Sequence, residues 1–388
     1  MLPTGTYVQL CPTLFGAGAV AKTGEVIKEM GLKKVMLVTD PGIVSVGHDK
    51  KVVAALESAG IECVVWSNAK PECPAENVKE GAGVARENQV EGIVGLGGGS
   101  GLDTAKAISV VAPNEDTIID HLLDLWCGVM KLPHPQMPVV LIPTTFGTGS
   151  EATRVAVVND PVTDSKMGMV APPSHAIIDP ALAVGLPAFP TAITGLDALS
   201  HAVESVTSIN CTYHTEMLAF EAIRMIVEWL PKACADTTCL EAREYTAQAS
   251  NLAGIAFSES DVNVGHATAH TIGHLYHIPH GLGCAWVTPA TIELMGKYFP
   301  EKVKRLAPIF GIACDCEGEQ LAKAVADANR KLMKTLGIPT LEEKGITREQ
   351  VMELAKTVHN EALTQQHQFD LTMDDVTAYL ASVYDNYR

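Results

Sequence analysis

A doubly wound α/β domain followed by an all-helical domain is the architecture that this 388-residue sequence predicts. Three observations point there. Short β-branched runs alternate with helical patterns through the first half, strand patterns nearly vanish after a proline-spaced stretch near Leu186, and the length exceeds what one hydrophobic core ordinarily supports.

The strand signals come first. Segments 33–40 (KKVMLVTD), 61–67 (IECVVWS), 90–100 (VEGIVGLGGGS) and 138–145 (PVVLIPTT) are short, apolar and bounded by turn residues, which suits buried parallel strands. Helical patterns at 49–58 and 75–87 lie between them and complete βαβ units. A further strand pair is predicted at 154–159 and 166–171. Beyond DPALAVGLPAFP (179–190) the text becomes long amphipathic segments, 192–207, 214–230 and 240–257 among them, and MDDVTAYLASVYDNYR reads as a last helix. A composition shift across a Pro-rich joint marks a domain boundary, which places one domain at 1–186 and the other at 187–388.

Composition narrows the class of partner. Hydrophobic residues at 47% and charged residues at 19% are an ordinary globular balance. The net charge of −17 argues against nucleic acid and against anionic membrane surfaces, leaving small molecules as the expected ligands. The N-terminal stretch MLPTGTYVQLCPTLFGAG lacks the basic and apolar regions of a secretory signal, and no apolar run is long enough for a membrane span, so a cytoplasmic location is expected. Ten cysteines are scattered without a C-x-x-C pair, which reads as reduced thiols in a reducing compartment.

Two polar turns sit at predicted strand ends, where open α/β sheets bind ligands. In GIVGLGGGSGLDTAKAIS a strand runs into Gly97, Gly98, Gly99 and Ser100, and a helix follows with Asp103 in its first turn. Glycines admit a phosphate close to backbone amides, and a helix N-terminus favours an anion; the same pattern also makes a plain tight strand-to-helix connection. Asp40 ends the first strong strand, where it reads either as an acceptor for an adenosine ribose that repels a 2′-phosphate, favouring NAD over NADP, or simply as the aspartate starting the turn DPG. PTTFGTGSE (143–151) is the second turn.

The histidines are unevenly spread. Asp197 and His201 are four apart on a helical pattern and project from one face. Further on, His266, His270, His274, His277 and His280 crowd into fifteen residues, five of the thirteen histidines in the chain. One carboxylate with three neutral imidazoles suits a divalent first-row metal such as Fe(II) or Zn(II). His266, His270 and His274 share a helix face, so only some of them can be ligands, while His280 lies in a Pro-His-Gly turn that can carry it back toward His266. His274 and His277 read as exposed or supporting polar residues.

GGGSGLDTAKA, PTTFGTGSE, TGLDALSHAVE and GHATAHTIG followed by PHG, in this order, resemble the iron-containing (group III) alcohol dehydrogenase family, which includes lactaldehyde reductase and 1,3-propanediol dehydrogenase; the similarity spans essentially the whole chain. The resemblance implies an N-terminal dinucleotide-binding domain, a C-terminal all-helical metal-binding and substrate domain, NAD(H) as cofactor, Fe(II) or another divalent ion as metal, and a homodimer or higher homo-oligomer. Carried over by position, Asp197, His201, His266 and His280 match the metal ligands, and His270 the proton-relay histidine. Gly97, Gly98, Ser100 and Asp103 match the pyrophosphate turn, Thr144, Thr145 and Thr148 the second nucleotide loop, Lys166 a ribose-contacting lysine, and Asp40 the NAD-selecting aspartate.

The sequence departs from the family pattern at Gly101 and Phe146, at Glu72–Cys73, in SESDVNVGH (258–266) and in QQHQFD (365–370). Glu259, Asp261, Asn263 and His367 in these segments suggest a small polar aldehyde or alcohol as substrate. The expected reaction is reversible metal-assisted hydride transfer between NAD(H) and that substrate. The alternative is a metal- and NAD-dependent lyase resembling dehydroquinate synthase, which needs a basic pocket that the histidine-rich half does not display.

Overall fold

A computed structural model describes residues 7–126, 129–160 and 165–388. The first six residues of the N-terminal stretch discussed above therefore lie outside the described part. The chain forms two compact units, one of Gln9–Thr145 with Gly149–Val184, the other of Gly185–Arg388 with Phe146–Thr148 and residues 7–8.

The first unit is built on a six-stranded sheet in the order β1 (Thr13–Phe15), β8 (His175–Ile178), β5 (Val139–Pro143), β4 (Gly92–Gly97), β2 (Lys34–Val38), β3 (Glu62–Trp66). Every neighbouring pair is parallel. All residues of β4 and β5 are buried, and the reason lies in their two faces. Met36, Val38, Ile93 and Val139 pack with the helices Ala75–Glu87 and Gly99–Val111, whereas Val35, Leu37, Val94 and Val140 join a separate core with Ile27, Val52 and Leu56. Helices cover both sides, so the strands read as unbroken apolar runs rather than alternating ones. The remaining strands, β6 (Val155–Asp160) and β7 (Ser165–Val170), form the separate antiparallel hairpin expected from the sequence.

The flanking strands β1 and β8 were not expected. They span three and four residues, and Pro12 and Pro173 stand close before them, so neither carries enough residues to show a period. The sheet order matters more for function. From β2 the chain passes to β3 on one side, and β4 then pairs on the other side of β2, so the topological switch lies between β2 and β4. That crevice is where doubly wound sheets bind ligands, and it is bordered by Asp40 beyond β2 and by Gly97 at the end of β4.

In the second unit, described strand pairing is limited to one isolated bridge, Ser208 with His367; long helices supply the rest. Ala188–Ser205, Tyr213–Ala235, Leu240–Ser260, Val264–Tyr276 and His280–Tyr298 enclose an Ala-, Leu- and Ile-rich core. Two sharp reversals shape the part that carries the histidines. Asp261 at φ 67° ends Leu240–Ser260, and His277 at φ 53° ends Val264–Tyr276 just before Pro279 starts the next helix. No described helix is long and apolar enough to cross a membrane.

Candidate metal centre and nucleotide turn

Helix Ala188–Ser205 places Asp197, His201 and Glu204 at i, i+4 and i+7, hence along one face, and all three are buried. The reversal at His277 then folds the helix beginning at His280 back against Val264–Tyr276, where Gly283 packs closely on Ala269. As a result Asp197 Oδ1 stands 3.5 Å from His280 Nε2, 3.8 Å from His266 Nε2 and 3.9 Å from His201 Nε2.

That oxygen is buried and makes no hydrogen bond. Such an atom is costly unless something else pairs with it. Donors bound at about 2.0–2.2 Å to a tetrahedral ion lie roughly 3.4 Å from one another, so the spacing and the O,N,N,N donor set fit a divalent cation. Burial works to raise the Asp197 carboxyl, but the imidazoles of His201, His280 and His266 outweigh it and hold the group far below the usual carboxylate range. Burial pushes His201 down to about 4, which keeps it neutral and able to ligate. His270 lies alongside, its ring 5.2 Å from that of His280 and 5.9 Å from that of His266, and it is half-buried. His274 and His277 are exposed.

Sequence reasoning missed two residues here. Glu204 Oε1 accepts from His266 Nδ1 at 2.7 Å and from Ser200 Oγ at 2.8 Å, while Oε2 accepts the backbone N–H groups of Asn263 and His266 at 2.8 and 3.0 Å. With Nδ1–H committed to Glu204, Nε2, the atom facing Asp197, is the nitrogen that His266 would offer to a metal on losing its second proton. Burial would raise Glu204; its interaction with His266 prevails and draws it down to about 2. The spacing Asp197–His201–Glu204 on one helix face was the available signal. The second missed residue is Cys284, fully buried and four after His280, whose Sγ lies 3.6 Å from His266 Nε2 and 3.5 Å from His280 Nε2. Burial pushes this thiol up to about 12.

Asn263 and His367, expected near the substrate, do other work. Asn263 is buried, and its Nδ2 donates to Glu204 O and Thr207 Oγ1. His367 is 4% exposed, and its Nε2 accepts from Val264 N at the start of the helix bearing His266. Both brace the helices around the candidate metal site, so the expectation of a polar substrate loses them as support. Glu259 and Asp261 are half-buried.

In the first unit, Asp40 caps the helix Pro41–Ser45 through Oδ1, accepting from Gly42 N and Ile43 N, while Oδ2 lies toward Gly97. Gly98 is pressed against Thr145 Oγ1, closely enough that an added Cβ would stand 3.1 Å from it. Thr144 is buried and donates its N–H to Gly97 O. Ser100 Oγ accepts from Glu72 N, and the Glu72 carboxylate lies 3.6 Å from Lys166 Nζ. Glu72 and Cys73, one of the departures noted above, both adopt positive φ, which shapes the turn that meets Ser100.

Asp103 lies within this framework: Oδ1 accepts from Ser150 Oγ at 2.6 Å and Oδ2 from Val157 N at 3.2 Å. Beside it, the fully buried Lys106, also missed from sequence, donates to Ser150 O, Thr153 Oγ1 and Val155 O. Asp103 and Lys106 thus tie the glycine-turn helix to the segment after Thr148. Phe146 is buried, and Thr148 lies next to the close contact between Gly147 and Thr194.

A family model described as iron-containing alcohol dehydrogenase matches residues 12–180, and one described as the Fe-containing alcohol dehydrogenase family, C-terminal, matches residues 191–384. The chain is 37% identical to choline dehydrogenase of Bacillus subtilis over 92% of its length and 89% of that protein. It is 34% identical to the NAD-dependent methanol dehydrogenase of Bacillus methanolicus, over 94% and 96% of the two chains. Among solved structures, 1,3-propanediol oxidoreductase superposes with a TM-score of 0.89 at 32% identity, covering 98% of this chain and 100% of that one. The buried Asp–His constellation, the glycine turn at the sheet's switch point and these matches over both units agree: the chain belongs to the iron-containing alcohol dehydrogenase family.

Proposed function

We propose that this chain interconverts a small primary alcohol and its aldehyde with NAD(H), using a divalent metal, Fe(II) or alternatively Zn(II), held by Asp197, His201, His266 and His280. The observation that carries the reading is the buried Asp197 Oδ1, which makes no hydrogen bond and faces three imidazole nitrogens. When bound, the metal supplies Lewis acidity toward an alcohol or carbonyl oxygen, and the nicotinamide supplies or accepts the hydride.

The chain's own residues do the positioning. Asp197 brings the negative charge that offsets a divalent cation, and Glu204 orients His266. His270, half-buried beside His280, relays the proton at its imidazole toward solvent. The backbone at Gly97, Gly98 and Ser100, at the start of helix Gly99–Val111, receives the cofactor pyrophosphate. Asp40 Oδ2 accepts from the adenosine ribose, and Thr144, Thr145, Thr148 and Lys166 complete the nucleotide site, with Asp103 holding the turn in shape. Nine described cysteines are free thiols, in keeping with a reducing cytoplasm, and a homo-oligomer is part of the proposal, open to sedimentation analysis.

Turnover of a panel of short aldehydes with NADH tests this directly. Stoichiometric loss of NADH absorbance supports the dehydrogenase and rejects the lyase, which leaves the cofactor unchanged. Undiminished turnover by demonstrably metal-free protein overturns the metal's role.

A further inference from the structure

Cys284 belongs to no part of the mechanism above, yet it sits against the same point. Its Sγ and ligand atoms of Asp197, His266 and His280 all lie within 4.8 Å of one another. His280 and Cys284 are four apart on one helix, so they project from a common face, and the side chain is fully buried. At about 2.3 Å for sulfur and 2.0–2.1 Å for nitrogen, tetrahedral donors are separated by roughly 3.5–3.6 Å. Cys284 Sγ stands 3.6 Å from His266 Nε2 and 3.5 Å from His280 Nε2. These separations match that spacing, as does the 3.5 Å between Asp197 Oδ1 and His280 Nε2, while the 3.8 and 3.9 Å from that oxygen to the nitrogens of His266 and His201 are longer. The buried Asp197 Oδ1, which makes no hydrogen bond, is a second sign that a cation belongs at this point.

We propose that Cys284 contributes a sulfur ligand to the metal centre, beside the donors of Asp197, His201, His266 and His280. A divalent cation deprotonates a coordinating thiol outright, and the proton leaves to solvent as the sulfur–metal bond forms. A thiolate softens the donor set. It shifts the site's preference toward zinc relative to a centre of imidazole and carboxylate alone. The inference rests on the metal site proposed above.

The test is cobalt(II)-exchanged protein observed by near-ultraviolet absorption and by metal retention against a chelator. The wild-type chain should show a sulfur-to-cobalt charge-transfer band; Cys284→Ser and Cys284→Ala should lose the band while keeping the helical circular dichroism. Chelator resistance should fall roughly tenfold or more, at least the loss caused by changing a partner that only orients a ligand. Cobalt bound to the wild-type protein without that band overturns the sulfur ligand even if neither variant folds, as does an unchanged spectrum in a folded variant. A wild-type protein that retains no divalent metal would instead overturn the metal site itself.

Discussion

Glu204 Oε1 and His266 Nδ1 share a 2.7 Å hydrogen bond in a fully buried setting, and every other acceptor position used on that carboxylate also meets a donor. Glu204→Gln preserves the shape but points an NH₂ at N–H or O–H donors. We expect metal retention to fall roughly 10–100-fold, the usual cost of losing a partner that orients a ligand. Metal analysis after dialysis checks it, and unchanged metal content would contradict the orienting role.

The proposed ligands and the proposed relay should separate experimentally. His266→Ala and Asp197→Asn are expected to abolish metal retention and turnover together. His270→Ala should leave metal bound and lower kcat by roughly 10²–10⁴. Loss of metal from the His270 variant would move that residue into the ligand set.

Gly265 leaves no room for a side chain, because an added Cβ meets the Glu204 carboxylate. Four hydrogen bonds pin that carboxylate, so it cannot swing aside. Gly265→Ala should cost about 1–3 kcal/mol, typical of an overpacked interior. A lower thermal midpoint together with weaker metal binding is the expected pair of results, whereas Gly83→Ala, with open space around its Cβ position, serves as the neutral control.

Lys106 tests the nucleotide turn by a route independent of the metal. Its ammonium group donates to Ser150 O, Thr153 Oγ1 and Val155 O at 2.7, 3.0 and 2.8 Å. Lys106→Met strands these buried acceptors and should cost about 3 kcal/mol. Denaturant unfolding reads the stability, and NADH fluorescence titration should show weakened binding with metal content unchanged.

Metal retention should also depend on pH with a definite sign. In the metal-free site burial works to lower His266, but its interactions with the carboxylates of Glu204 and Asp197 outweigh it and hold its imidazole well above the ordinary value. Protons therefore compete with the metal for that ring, and affinity should fall as pH falls. Chelator-challenge assays across neutral to mildly acidic pH read this; retention that improves on acidification would contradict it.

The strands Lys34–Val38, Gly92–Gly97 and Val139–Pro143 were legible because strands buried on both faces must be apolar throughout. The histidines proposed as metal ligands stood out because five of them crowd into fifteen residues. Thr13–Phe15 and His175–Ile178 stayed hidden because strands this short become strands only through a neighbour's hydrogen bonds. Asn263 and His367 looked like substrate groups because polarity in a sequence does not say which way a side chain faces.

Local pattern alone thus determined the succession of elements, the glycine turn and the residue types able to hold a divalent cation. Tertiary structure decided which donors meet. The reversals at Asp261 and His277 bring His266, His280 and Cys284 to the helix bearing Asp197 and Glu204. Ligand geometry depends on distances between side chains remote in sequence, and only the packed fold sets those distances.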